Sequence, residues 1–445
     1  MRLTKCLVLT MAVLGTVAPA VGGDKGLINL ETFGGFQFNF NNPGARSLGM
    51  GGAFVAVADD ATAVIANPGG LTILERPELS AEMKVTKFKN TFAAFSNTPA
   101  DAPGQNYQSR TFDNTVVTPS FFSFVYPTER LTVAAFVREQ INYKSTFQYD
   151  GVFIQDPTGG GCGGGLPSGV CRILPAKSDL EITSLNFGLG AGVNLEKENP
   201  LFPNIGVSIE FSIGSMNARL DRFGTVGGPT GPPDFSNLLQ SNTGNGTDIG
   251  IGLNVGALWH PVKDLGVGLV YRLGPRYDFN FTVVQPGFSS SINTPLGFKV
   301  PDEWAAGVSY RFFERLTLAF EATYIEYSQL VRNMQVLLAD AVGRKYRIND
   351  VLEFHVGGEY VFFVRGVPFA VRGGFYTDPD HKIRYTGGPH DASEAAERAL
   401  FQKGNNNYHG TAGFGIVPIP GFQIDFAGNY SRDVSEISIS TVFRF

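Results

Sequence analysis

The sequence predicts an all-β fold: a transmembrane antiparallel β-barrel of about fourteen strands, with an N-terminal hatch folded inside its lumen. Three observations support this prediction. Apolar and polar residues alternate with period two along much of the chain, short connectors alternate with long polar stretches, and residues 21–76 show no such alternation. Alternation with period two places one face of each strand toward lipid and the other toward the lumen.

The final ten residues show the alternation most clearly. In EISISTVFRF, Ile437, Ile439 and Phe443 fall on one face together with the terminal Phe445, and mostly polar residues fall on the other. A soluble sandwich also alternates, because one face packs a core and the other meets water. Here, however, Gly, Ser, Thr and Asn dominate the polar faces, and aromatic residues cluster near the strand ends. A hydrated lumen and an interfacial aromatic girdle account for both features.

The connectors predict the topology. Short connectors occur at residues 127–129, 261–264, 313–314, 365–366 and 418–421, and long polar or Gly/Pro-rich stretches at 90–117, 149–178, 224–246, 286–297, 331–348 and 378–406. Short periplasmic turns and longer external loops are typical of outer-membrane barrels. An even number of strands leaves both ends of the barrel in the periplasm, and closure satisfies every backbone group within the hydrocarbon.

The N-terminus predicts export. Residues 1–20 combine two basic residues, an apolar run and the small residues Ala18-Pro19-Ala20, as in a cleaved signal peptide. We therefore expect three segments: the signal peptide (1–20), the hatch (21–76) and the barrel (77–445). Loss of Arg2 and Lys5 leaves 33 basic residues against 40 acidic ones, a net charge of −7 (33 − 40). This mildly acidic balance gives no indication of nucleic-acid binding.

Two cysteines remain in the exported chain, Cys162 and Cys171, within GGGCGGGLPSGVC. A metal site usually needs four clustered ligands, and no second pair of Cys or His lies nearby. We expect these cysteines to form a disulfide that fixes a glycine-rich loop, since exported proteins meet an oxidising environment.

The stretch GMGGAFVAVADDATAVIANPGGL (49–71) resembles an active-site loop at first sight, but it lacks the lysine of a phosphate-binding loop. The neighbouring Asp59 and Asp60 lack the spacing of a calcium loop, so we predict neither a metal nor a cofactor. We expect them to bond hatch amides or to pair with a lumen arginine, for which Arg46, Arg372 and Arg444 are the candidates.

Catalysis has weak support in the sequence. His355 is predicted to face the lumen beside Glu353, which raises the alternative of a barrel hydrolase. Such an enzyme needs a nucleophile, a base and an orienting group, and no serine motif indicates one. We therefore predict that the protein is not an enzyme.

Several segments are similar to the FadL/TodX family of outer-membrane transporters for long-chain fatty acids and aromatic hydrocarbons. The resemblance runs through residues 34–71, which are similar to the family's hatch, and continues in 301–328, 354–363, 367–380 and the terminal strand. It implies a location in the outer membrane of a Gram-negative bacterium and passive, hatch-gated uptake of fatty acids or hydrocarbons. The hatch also resembles that of PorV-type barrels.

The resemblance implies a gating role for Asn67 and Pro68, with Gly69 where the family usually has Ala. This departure predicts a more flexible turn, and the turn is expected to lie against an opening in the barrel wall. The carboxylates of Asp59 and Asp60 are expected to anchor the hatch.

Two external segments are candidates for ligand binding because they carry apolar residues: Phe235, Leu238 and Leu239 in the first, and Met334, Leu337 and Leu338 in the second. The expected partners are a hydrophobic small molecule, outer-membrane lipid and lipopolysaccharide, and the expected state is a monomer. A secretion or assembly partner barrel and a general porin remain as alternative functions.

Overall fold

The computed structural model describes residues 30–36, 40–95, 98–101, 108–284, 291–334, 345–388 and 390–445, so the predicted signal peptide lies outside the described residues. The described strands are β1 (Glu78–Phe95), β2 (Gln108–Pro127), β3 (Leu131–Tyr149), β4 (Val152–Gln155), β5 (Val170–Ile173), β6 (Ala176–Val193), β7 (Asn204–Thr225), β8 (Pro233–Val262), β9 (Leu265–Leu273), β10 (Arg276–Val284), β11 (Ser291–Lys299), β12 (Glu303–Phe312), β13 (Leu316–Ile325), β14 (Tyr346–Arg347), β15 (Val351–Val364), β16 (Val367–Asp378), β17 (Arg384–Tyr385), β18 (Asn407–Ile419), β19 (Phe422–Tyr430) and β20 (Val434–Arg444). The helices are α1 (Ala45–Gly49), α2 (Ala63–Ala66), α3 (Ser328–Asn333) and α4 (Ala392–Leu400), with 3-10 turns at Leu30–Phe33, Pro68–Ile73 and Pro99–Asp101.

Fourteen of these strands form a closed antiparallel barrel, which confirms the predicted fold class. The ring contains β1–β3, β6–β9, β12, β13, β15, β16 and β18–β20. It closes where β1 pairs with β20, from Glu78↔Arg444 to Phe88↔Val434. The β10–β11 hairpin extends the wall along the external half of β8. Closure leaves the spanning strands without a free edge, as the hydrocarbon requires.

The strand faces explain why the barrel needs a lipid environment. In β7, the outward-facing Ile205, Phe211 and Ile213 are 40–58% exposed, whereas the inward-facing Ser208 and Ser212 are fully buried. A soluble sandwich buries its apolar face instead. No helix among the described residues is long and apolar enough to cross a membrane.

Three of the predicted long loops are shorter than expected, and in one of them, residues 286–297, β11 (Ser291–Lys299) occupies most of the stretch. Of residues 90–117, β1 continues to Phe95 and β2 begins at Gln108, and β7 and β8 remain paired as far as Thr225↔Pro233. These strand extensions lie beyond the apolar band, where neither face must be lipophilic, so backbone pairing continues without the alternation that reveals a strand.

A layer of small elements covers the external mouth. The β4–β5 hairpin, the β14–β17 ribbon and α4 form this cap, and Ala395, Ala396 and Ala399 of α4 pack among buried aromatic and aliphatic residues of the upper wall and hairpin. The structure joins Cys162 and Cys171 in a disulfide across the loop between β4 and β5, where the sequence predicted it.

Candidate functional site

The hatch, as far as it is described, lies inside the barrel and is bonded to strands around the ring. The backbone amides of Phe54 and Val55 both donate to Glu321 on β13, at 2.9 Å each. The amide of Ala45 donates to Ser440 on β20 at 3.1 Å. Because the segment is rich in Gly and Ala, its backbone reaches the wall closely enough for polar wall residues to satisfy it.

Asn67 fixes the central turn of the hatch. Its side-chain oxygen accepts from the Gly69 amide at 3.1 Å, and its nitrogen donates to the carbonyls of Val55 at 2.8 Å and Ala257 at 2.9 Å. Since Ala257 belongs to β8, one buried amide group joins two parts of the hatch to the wall. The turn packs on wall glycines: a Cβ added at Gly256 would lie 2.2 Å from the Asn67 oxygen.

Gly69 occupies a crowded position in the turn for which the sequence predicts greater flexibility. It is buried, and a Cβ at this position would lie 2.8 Å from the Asn204 carbonyl oxygen and 2.9 Å from the Leu258 amide nitrogen. Both neighbours are backbone atoms of wall strands, so they can move little to accommodate a Cβ atom. The glycine therefore permits close contact between hatch and wall.

Asp59 anchors the hatch through a chain of charges. It pairs with Arg46 at 2.5 Å, and Arg46 also pairs with Glu359 of β15 at 2.8 Å. Glu359 also forms an ion pair with Arg372, and Arg372 forms a second ion pair with Asp425 at 2.7 Å. Of the three candidate arginines, Arg46 thus contacts Asp59 directly, whereas Arg372 binds Glu359 and Asp425.

Asp60 has a mainly local role. Its carboxylate accepts from the amide of Thr62 at 2.9 Å and from the Thr62 hydroxyl at 2.5 Å, and it lies 3.5 Å from Arg46. Arg444, the third candidate arginine, pairs with Glu78 at the closure of the barrel. His355 faces the lumen beside Glu353 as predicted, at 3.4 Å, and its other ring nitrogen lies 2.8 Å from the Gly51 carbonyl.

The sequence did not single out Arg272 on β9, which holds the end of α2. Its guanidinium donates to the Ala66 carbonyl and to Asn42 at 2.9 Å each, and pairs with Glu303 at 2.9 Å. A free carbonyl at a helix end is a favourable place for a cation. A lone arginine in a strand carries no signal of such a role, because its partner is distant in sequence.

A cluster of buried apolar residues fills the external half of the lumen. The hatch contributes Phe33 and Phe36, and the wall and loops contribute the remainder. Phe36 lies in edge-to-face contact with Tyr143, with ring centroids 4.8 Å apart, and near Phe298 at 6.1 Å. The segment is held there by Glu31, which is 2% exposed and accepts from Arg222 and Tyr149.

The predicted ligand-binding residues divide between two places. Met334 lies in the apolar cluster, 2% exposed. Leu238 and Leu239 are 39% and 45% exposed on the external extension of β8, and Phe235 packs against Phe223 with centroids 5.3 Å apart. Leu337 and Leu338 lie outside the described residues.

The wall has a seam between β2 and β3 that the sequence analysis did not predict. The two strands pair from Phe121↔Arg138 to the periplasmic turn, but beyond this point β2 pairs with β1 alone and β3 with β6 alone within the described residues. Among the described residues, the hydrogen bonds that cross the seam join side chains. The Thr118 hydroxyl donates to Glu139 at 2.8 Å, and the Thr146 hydroxyl donates to Asn114 at 2.9 Å.

Local sequence accounts for the seam. Pro119 of β2 has no amide hydrogen to donate, and such residues occur at strand edges or bulges. Register shifts interrupt the neighbouring ladders at Glu82/Met83 and at Glu139/Ile141. Bulges of this kind bend a strand and increase its twist. Pro119 was therefore the signal in the sequence that could have located the seam.

The apolar cluster reaches the seam. Val116 of β2 packs against the cluster and Ile141 of β3 belongs to it, so the strands on both sides of the seam contribute apolar side chains. A cavity of about 110 Å³ lies between the hatch and the cluster at this level, and its walls include both residues. Most of its other lining residues are polar, with Glu82 and Lys84 near the seam.

Comparison with known proteins agrees with this architecture. Residues 182–380 match the family described as "Outer membrane protein transport protein (OMPP1/FadL/TodX)". The resemblance to the FadL/TodX family is confirmed. The match agrees with the predicted outer-membrane barrel of the Gram-negative type, and the family is described as one of transport proteins, in agreement with the prediction that the protein is not an enzyme.

Solved FadL/TodX structures share the fold at low sequence identity. A Pseudomonas aeruginosa FadL homologue is 14% identical with a TM-score of 0.62, covering 92% of this chain and 100% of its own. The Ralstonia pickettii toluene transporter TbuX is 16% identical with a TM-score of 0.54 and the same two coverages. The CymD monoaromatic hydrocarbon channel is 15% identical with a TM-score of 0.52, covering 92% and 99%. Comparison with curated protein sequences finds no match.

Proposed function

We propose that this protein takes up hydrophobic small molecules across the outer membrane by passive diffusion. The observation that carries the proposal is the contact of the apolar lumen cluster with the unpaired β2–β3 seam at Val116 and Ile141. Transfer of a hydrophobic solute from water to such a surface is favourable, by about 25 cal/mol per Å² of apolar area buried. Passage then needs no energy source, because removal of the solute inside maintains the gradient.

The substrate class follows from the lining of this route. The apolar cluster offers aromatic and aliphatic side chains, which suit the hydrocarbon part of a ligand more than a polar solute. The channels of similar fold described as toluene transporters and as a monoaromatic hydrocarbon channel support hydrocarbons as substrates. Long-chain fatty acids share this apolar character and remain within the proposal.

We assign the hatch the role of a gate. It closes the lumen below the cluster, and Asn67 ties its central turn to β8 through the Ala257 carbonyl. Asp59 ties it to β15 through Arg46 and Glu359. The Asn67 turn contacts β7 and β8. We propose that the gate acts on the lumen and that the seam is the lateral exit.

The protein is proposed to act as a monomer within the outer membrane. The closed ring buries its own strand edges, so no second copy is needed to satisfy the backbone. Outer-membrane lipid then contacts the apolar outer face, and lipopolysaccharide surrounds the external mouth.

A reversible cross-link across the seam tests the route. Thr118 and Glu139 face each other there, so the Thr118→Cys, Glu139→Cys pair should form a disulfide on oxidation and hold the strands together. We expect oxidation to reduce uptake of radiolabelled toluene several-fold in cells, and reduction to restore it.

The matched control is the Tyr126→Cys, Val133→Cys pair, which joins the same strands where they are already paired. Its oxidation should leave uptake unchanged. Undiminished uptake with the seam pair fully cross-linked would show that solutes do not leave through the seam.

A further inference from the structure

We infer that the outer face of the barrel wall contains a site for an acyl chain of a phospholipid from the periplasmic leaflet. The site is a groove of about 480 Å³ across β6, β7, β8, β9 and β12, and we call it the wall groove. The volume falls within the range of about 300–1,000 Å³ that is usual for small-molecule pockets. Its outward-facing lining includes Ala191, Ile205, Val207, Ala257, Leu269 and Trp304.

Two alanines among larger residues produce the groove. Ala257 of β8 pairs with Ile205 of β7 on one side and with Leu269 of β9 on the other. Ala191 of β6 lies in the next row of outward-facing side chains and pairs with Val207. Directly opposed side chains on neighbouring strands are close enough to touch, so a row of them forms a continuous surface. Because each alanine ends at its Cβ atom while its neighbours project further, a depression remains between them.

The floor of the groove is bare backbone. Gly206 and Gly256 line it, and on the lumen side a Cβ atom added to either would collide with Asn67 or Pro68 of the hatch. A single layer of backbone therefore separates the groove from the hatch turn. Asn67 also donates to the Ala257 carbonyl at 2.9 Å, so the strand that opens the groove is fixed from inside. A surface held in one shape loses little conformational freedom when a ligand binds.

The position of the groove indicates the leaflet that supplies the chain. Val193 is the last residue of β6 and Ile205 the second residue of β7, so one end of the groove lies at the periplasmic boundary of the wall. At the other end, Tyr271 and Trp304 lie further from the periplasmic ends of their strands, with ring centroids 4.3 Å apart. The groove thus rises from the periplasmic boundary into the apolar band, as the chain of a phospholipid in the periplasmic leaflet does.

The lining selects a hydrocarbon chain and not a head group. All eleven lining residues are uncharged, and the hydroxyl of Tyr271 donates to Asp302 at 3.2 Å. Within a membrane the surroundings are as apolar as the groove, so van der Waals packing and not the hydrophobic effect holds a chain there. A concave surface contacts a chain on more than one side, which increases this packing. Eleven residues are also fewer than the roughly 20–30 that each partner contributes to a stable protein interface, which favours a chain over a second copy of the protein.

Fluorescence of Trp304 tests the site. The chain has two tryptophans, so Trp259→Phe leaves Trp304, which is 48% exposed, as the single fluorophore of this type. The probe is a phosphatidylcholine with brominated acyl chains, added to the full-length protein in detergent, since bromine quenches a tryptophan that it contacts. We expect quenching to saturate near one lipid per protein. Quenching that rises with lipid and does not saturate would overturn the proposal.

Filling the groove should abolish this signal. In the Trp259→Phe background, the Ala191→Phe, Ala257→Phe pair should reduce quenching several-fold. The matched control is the Ala81→Phe, Ala135→Phe pair, which makes the same changes at exposed alanines of β1 and β3 outside the groove and should leave quenching unchanged. Leu269→Ala removes one side of the groove and adds no bulk, so it should also weaken quenching. Resistance of each unheated variant to unfolding on a detergent gel verifies the barrel.

Competition experiments distinguish the chain from other occupants. Brominated phosphatidylglycerol should quench as well as phosphatidylcholine does, and a several-fold preference for either head group would contradict recognition of the chain. Relief of quenching by excess toluene would assign the groove to transported solutes instead. A dimer seen by light scattering and lost in the filled variant would assign it to a second copy. Toluene uptake is measured separately, so failure here leaves the proposed function untouched.

Discussion

Gly69 lies where the backbone of the hatch meets the backbone of two wall strands. Asn204 of β7 and Leu258 of β8 approach it from the wall, and neither atom in contact belongs to a flexible side chain. This interior position restricts the volume of the side chain. A methyl group there must displace backbone atoms that the hydrogen bonds between wall strands hold in place.

Gly69→Ala is expected to destabilise the protein by about 2 kcal/mol, since overpacking an interior costs of this order. The measurement is the temperature at which the unheated barrel loses its compact migration on a detergent gel. Gly373→Ala on β16 is the matched control, because a Cβ there meets no atom within 4 Å. Equal midpoints for the two variants would contradict the close contact at Gly69.

At the scale of elements, the stability of α4 depends on the protonation of Glu397, because burial disfavours the charged form of this carboxyl group. Its N-cap Asp391 accepts from the Glu394 amide, and three of its alanines are buried in the cap. Desolvation raises the pKa of Glu397 from 4.5 to about 7, and the contact with Tyr346 offsets only part of this shift. A carboxyl group with a raised pKa binds its proton more tightly in the folded cap than in the unfolded chain.

This shift predicts that α4 loses stability as pH rises. The proton on Glu397 stabilises the docked helix below its unfolded pKa near 4.5, and this contribution falls away as pH passes through about 7. Amide hydrogen exchange, corrected for its intrinsic pH dependence, should show lower protection of residues 392–400 at pH 8 than at pH 5.5. Glu397→Gln should remove the difference, and a variant that keeps the full difference would contradict this assignment.

At the scale of the whole molecule, the hatch and the apolar cluster together obstruct the lumen of a barrel wide enough for a channel. The hatch is bonded to strands on several sides of the ring, among them β8, β13, β15 and β20. A general porin of the same strand number would leave this space open to ions.

We therefore expect the wild-type protein to conduct few ions in planar lipid bilayers. Deletion of residues 21–76 should raise single-channel conductance strongly, provided that the gel assay shows a folded barrel. High conductance of the wild type would favour the porin alternative and contradict a gating role for the hatch. Unchanged conductance after deletion would mean that the cluster alone closes the lumen.

Much of the fold was predictable because successive side chains of a barrel strand face lipid and lumen in turn, which produces a regular pattern in the sequence. Alternation in β8, β13, β19 and β20 predicted the barrel, and the short connectors predicted the order of its strands. The strand extensions in residues 90–117 and 224–246 were missed, since outside the apolar band the backbone pairs without an alternating pattern. The predicted role of Asp59 was accessible because Arg46 was one of a few lumen arginines.

The sequence by itself determined the fold class, the hatch and the disulfide, because each depends on local composition or on a pattern repeated along the chain. Tertiary structure alone decided which wall residues meet Asn67 and Gly69, where β2 and β3 separate, and which residues form the wall groove. These features depend on residues far apart in the sequence, such as Asn67 and Ala257, that closure of the ring brings within hydrogen-bond distance. No local sequence pattern predicts such contacts, because they form only when the barrel closes.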